Sequence, residues 1–116
     1  MLDHNPKHQS EMLMASQLKP FFNDVEREYR GKTVYLYPDS HLEHTAENAD
    51  LVTLDSLTFV HQHRKDVLTI HTTDKGNPHE VKIIINIVWI IRDVDGEVIA
   101  FEVIDEQDAR LMVKFT

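Results

Sequence analysis

Glu80-Val81-Lys82-Ile83-Ile84-Ile85-Asn86-Ile87-Val88-Trp89-Ile90-Ile91 is the stretch on which the fold turns. In an extended chain, Val81, Ile83, Ile85, Ile87, Trp89 and Ile91 fall on one side. Lys82, Ile84, Asn86, Val88, Ile90 and Arg92 fall on the other, polar at its ends and largely apolar between. A strand wetted on one face alternates cleanly, whereas one covered on both faces reads as a near-continuous apolar run. This run is of the second kind. Leaving Ile84, Val88 and Ile90 in water would forgo roughly 1.5–3 kcal/mol each. The expectation is therefore a cover for that second side: a helix, the far wall of a barrel, or a second subunit. Ile84, Val88 and Ile90 are accordingly candidate interface residues. The run is too short, and too closely bounded by charge, for a transmembrane helix.

Outward from it, Asp93-Val94-Asp95-Gly96 makes a tight turn, Gly96 supplying the positive φ. A return strand over 98–104 puts Ile99, Phe101 and Val103 on one face. After the polar turn at Asp105-Glu106-Gln107-Asp108, Leu111, Val113 and Phe115 line the inner side of a last strand. Upstream, Asp74-Lys75-Gly76-Asn77-Pro78 turns the chain into the isoleucine-rich run. Segments 57–63 and 67–73 read as a hairpin across Arg64-Lys65-Asp66, 51–54 as a short strand, and 33–37 as a strand stopped by Pro38-Asp39.

Leu18, Phe21, Phe22, Val25 and Tyr29 form one stripe of an amphipathic helix, with Ser16 or Ser10 as N-cap and Gly31 as the αL stop. Glu26, Arg27, Glu28 and Arg30 read as its solvated face. Residues 1–10 read as a mobile arm and 11–116 as a single domain. The segment 40–50 reads as a long polar loop or one short helical turn around Leu42 to Asn48. The expected class is α+β: an N-terminal amphipathic helix, then five or six antiparallel strands in a curved sheet or small barrel.

Composition excludes several functions. The 116 residues hold no cysteine, which removes disulfide and thiol chemistry and fits a cytoplasmic setting. A formal charge of −8 with no basic stripe repels phosphate backbones, so no nucleic-acid partner is expected, and no apolar span indicates a membrane. Protonating all eight histidines would cancel that charge, so solubility should fall near pH ~5–6.

Candidate chemistry rests on histidine. His41 and His44, with Glu47, stand at helical spacing, although not in the His-Glu-x-x-His pattern of zinc peptidases. His61, His63 and His71 share a strand face if the hairpin turns on three residues; a two-residue turn at Lys65-Asp66 separates them. Either group is a candidate metal site, the one cofactor the residues suggest. Asp93-Val94-Asp95-Gly96 only partly imitates a calcium loop, since Ile91 holds its first ligand position. No serine has a glycine-flanked elbow, and the three glycines are isolated, so neither a nucleophile nor a phosphate loop is built.

The helix carrying Phe21-Phe22 runs on to Glu28-Tyr29-Arg30-Gly31 and straight into the strand at 33–37. The chain closes on Asp95-Gly96, an alternating strand, a polar turn and Leu111-Met112-Val113-Lys114-Phe115. In this layout, over 18–115, the sequence resembles a family of small bacterial proteins known as a domain of unknown function, number fifty-three thirty-five. It departs from that pattern at Lys32, where an aromatic is usual, and at Glu106-Gln107-Asp108, where a glycine turn is usual. The resemblance implies a compact bacterial α+β domain and carries no activity or site.

The favoured functional expectation is a non-enzymatic, protein-binding cytosolic domain, acting as a homodimer. The alternatives are a histidine-based metal protein with hydrolytic chemistry, and a small-molecule barrel lined by Tyr35, Tyr37, Phe59 and Trp89.

Overall fold

The computed structural model describes residues 9–38 and 49–116. In chain order the elements are β1 (Gln9–Met12), α1 (Ala15–Tyr29), β2 (Thr33–Tyr37), β3 (Asp50–Gln62), β4 (Lys65–Asp74), β5 (Asn77–Arg92), β6 (Val98–Asp105) and β7 (Arg110–Phe115). The protein is α+β, mostly antiparallel sheet, with one helix among the described residues. Seven strands are present among the described residues, not the expected five or six, and a short strand precedes the helix. Of the arm expected over 1–10, residues 1–8 lie outside the described residues. Gln9 and Ser10 belong to β1, paired with Arg92 and Ile91 of β5.

The sheet order β1-β5-β4-β3-β2-β7-β6 carries an extra β5–β6 pairing, so six strands close into a ring. The closure depends on the length of β5. Residues 77–84 pair with β4, and residues from Ile85 onward pair with β6. Between the two halves the register with β6 slips at Asn86: Ile85 faces Asp105, but Ile87 faces Ile104.

That one extra residue, a β-bulge, changes which side of the strand faces inward. Ile83 is buried and Ile85 packs on the core ahead of the slip, whereas Val88 and Ile90 are buried beyond it. The run therefore looks apolar on both sides because its inward face switches midway. The expectation of one continuous outward face at Ile84, Val88 and Ile90 is corrected: Val88 and Ile90 are each 1% exposed inside the ring, while Ile84 is 39% exposed. The far wall of the ring is what covers them. A similar slip between Leu54 and Ser56 lets β3 present Val52 and Leu54, then Leu57, to the core, where a break between two strands was expected.

The hairpin between β3 and β4 turns on His63 and Arg64, both at positive φ (53° and 64°), with Gln62 opposite Lys65. This two-residue turn replaces the one expected at Arg64-Lys65-Asp66. Lys75 and Gly76 (φ 54° and 83°) make a matching turn between β4 and β5. The last two turns share one device. Asp93 accepts the N–H groups of Asp95 and Glu97 at 2.9 and 3.0 Å, and Asp105 accepts those of Gln107 and Ala109 at 2.8 and 2.9 Å.

α1 closes one end of the ring. Leu18, Phe22 and Val25 are buried there, with Phe21 and Tyr29 half-buried against the same core. Phe22 stacks on Phe59 (5.8 Å between ring centroids) and meets Phe101 edge-on at 5.5 Å, while Tyr29 stacks on Phe115 at 3.9 Å. The helix starts at Met14, not Ser16 or Ser10, because Gln17 Oε1 reaches back to accept the Met14 N–H at 2.8 Å. It ends at Gly31 (φ 82°), whose N–H donates to Leu54 O at 2.7 Å. Glu26, expected to be solvated, instead accepts the Leu57 N–H at 2.9 Å just past the β3 slip. Helix and ring are thereby tied at the point where the ladder is broken.

Candidate functional site at the open end of the ring

No described element covers the end opposite α1. Its cavity of about 470 Å³ is floored by apolar side chains of five strands, among them Leu36, Val52, Ile83, Val103 and Leu111. Asp50, Asp74, His79, Lys82, Asp105 and Arg110 contribute to its rim. These positions follow from strand alternation: each strand that runs to this end continues its inward row until it meets water. Thr72 continues the inward row of Leu68 and Ile70 to the cavity wall, where it is 2% exposed. Its hydroxyl makes no hydrogen bond with a described residue. No described side-chain polar atom is sealed in without a partner, so this hydroxyl opens to the cavity and offers a polar contact there.

The rim is acidic. Arg110 is engaged by Glu102 at 3.6 Å and Asp108 at 3.9 Å. One oxygen of Asp105 serves its own turn, whereas Asp50 and Asp74 have no such duties among the described residues.

One wall of the cavity is the first half of β5, and its backbone is half unused. Asp74 and Asn77 flank a two-residue turn, so they form a hydrogen-bonded pair, and pairing then alternates along the ladder. Asn77, His79, Val81 and Ile83 bond to β4; Pro78, Glu80 and Lys82 turn their backbone groups the other way. Pro78, lacking an N–H, sits where none is needed by β4. β6 reaches β5 only at Ile85, so no described strand lies against the edge formed by 78–82. Val81, on the cavity side of that half-strand, is 36% exposed.

The histidine readings fare differently. His41 and His44 lie outside the described residues. The structure does not bring His61, His63 and His71 together. His61 is opposite Asp66, with Nδ1 2.6 Å from its carboxylate, and His63 occupies the turn. His71 points to the outer face, 3.8 Å from Glu80. No group of three or more metal-ligating side chains is found among the described residues. The aromatic lining is corrected as well. Tyr37 packs with Ala100 and Met112 outside the ring, with Tyr35 and Ile91 beside them, and Phe59 is taken up by Phe22. No helix among the described residues is long and apolar enough to cross a membrane.

Sequence reasoning missed the cavity because its lining is gathered from six strands, four residues from β5 and one or two from each of the others. The available signal was Asn86, the single polar residue where the apolar phase of β5 changes. Finding it would have placed Ile83 and Val81 on the inner side. No family model matches this chain, and neither a curated protein nor a solved structure matches it.

Proposed function

We propose that this protein is a non-enzymatic binding module and that its site is the open end of the ring. The observation that carries the reading is the cavity of about 470 Å³, apolar on its floor and polar on its rim, with the Thr72 hydroxyl in its wall. An apolar pocket with a few convergent polar groups is the usual form of a binding site. Thr72 and His79 face each other across β4 and β5 in this wall, but among the described residues no hydroxyl of the lining is hydrogen-bonded to a base, which favours recognition as the chemistry it offers. The homodimer expected from the isoleucine-rich run loses its motive at Val88 and Ile90, which the chain buries by itself.

Nile red, a neutral dye that brightens in apolar surroundings, tests the site. Saturable, blue-shifted emission is expected from the native protein, and its loss in Val81→Arg, which puts a charge on the exposed cavity wall without disturbing the core. Dye binding left unchanged by Val81→Arg, or no saturable binding at all, refutes the reading.

A further inference from the structure

We propose that the occupant of this site is an extended peptide segment carrying basic side chains, added as a strand to the free edge of β5. The inference rests on the open end being the binding site and specifies what fills it. Three features converge on it. Backbone N–H groups of Glu80 and Lys82, and the carbonyls of Pro78, Glu80 and Lys82, have no partner strand among the described residues. Such a row is a template for strand addition, in which main-chain bonds supply affinity and alternate side chains enter pockets.

The apolar floor lies beside that edge. A strand paired with 78–82 turns every second side chain toward Val81, Ile83, Val103 and Leu111, which line the cavity. At about 3.3 Å per residue, the free edge accommodates roughly five residues of partner.

Charge then selects the kind of peptide. Asp50, Asp74 and Asp105 stand on the rim against Lys82 and Arg110, and Arg110 is already engaged by Glu102 and Asp108. The chain as a whole carries −8. A segment with lysine or arginine at its outward positions is attracted to this mouth, and an acidic one is repelled. Glu80 and Lys82 on the exposed edge and Pro78 at its start disfavour indiscriminate pairing with a second copy, as charged edge residues generally do.

The probe is a capped peptide of alternating lysine and valine about six residues long, with a glutamate–valine peptide as its counterpart. Amide resonances of the full chain are followed during titration. The expected result is saturable binding of the lysine peptide, with the largest shifts at Glu80 and Lys82, and binding of the acidic peptide weaker by roughly tenfold or more. Lys82→Pro removes an edge donor that β4 does not use, so melting is expected to hold while peptide affinity falls roughly tenfold. N-methylation of the peptide's lysines or of its valines keeps the protein native and, in one of the two phases, blocks the same bonds. Asp74→Asn lowers affinity for the lysine peptide alone.

Binding unaffected by Lys82→Pro and by both methylation patterns overturns strand addition. Nile red binding without peptide binding overturns the proposal and leaves the site intact. A concentration-dependent dimer abolished by Lys82→Pro assigns the edge to a second copy and likewise overturns it.

Discussion

Ile84→Ala and Ile90→Ala make the same chemical change on the same strand, at positions that an unbroken alternation puts on one face. The slip at Asn86 separates them. Ile90 is 1% exposed among core side chains, and Ile84 is 39% exposed. Each removed carbon is worth about 0.8 kcal/mol when fully buried, and a cavity in a packed core adds to the loss, so Ile90→Ala should cost about 3–5 kcal/mol. At Ile84 the transfer loss scales down to about 1.5 kcal/mol and no closed void is left. In a domain of this size the first should lower the melting temperature by roughly 12–20 °C and the second by roughly 6 °C or less. Urea unfolding followed by circular dichroism gives both values, the midpoint moving while the slope stays fixed. Equal losses at the two positions would refute the switched face. A loss at Ile84 that grows as the protein is concentrated would restore an intersubunit role for that residue.

Glu26→Ala should cost about 1–2 kcal/mol in the same assay, because the Leu57 N–H beside the β3 slip loses its charged acceptor; Glu26→Gln should recover at least half. Replacing His63-Arg64 with Asn-Gly should raise stability by about 1 kcal/mol, since both residues are held at positive φ, and no change in the melting curve would contradict that turn. Burial raises the Tyr29 hydroxyl above its ordinary 10.0, with Glu28 and Glu97 adding to the shift. A folded value above the unfolded one means that its contribution is fully present below pH ~10 and is lost as pH rises through the folded value. Ultraviolet titration should therefore show a tyrosine component above the ordinary value, and Tyr29→Phe should abolish it.

The last two strands were legible where their alternation holds: Phe101 and Val103, then Val113 and Phe115, face inward as their spacing requires, whereas a slip at Ile99 puts Val98 against the core in its place. Turns with glycine at positive φ, at Gly76 and Gly96, were legible for the same local reason. Single-residue slips were not. Counting by twos across Asn86 or Asp55 assigns every later side chain to the wrong face, and only the ring's closure fixes the phase. The turn at His63 and Arg64 escaped because two consecutive non-glycine residues at positive φ contradict local preference; pairing of Gln62 with Lys65 overrides it. The free edge of β5 was beyond sequence reading, since it depends on where β6 stops.

The seam between β2 and β7 sets a timetable for biosynthesis. Val34 pairs with Phe115 and Tyr37 with Met112, so β2 waits for a strand that is synthesised only after β3, β4, β5 and β6. While a ribosome still holds that portion, β2 and β6 stand bare on the sides that β7 will fill, available to chaperones or to neighbouring nascent chains. A stop codon before Arg110 would make that interim condition permanent, and an aggregation-prone product is its physical consequence.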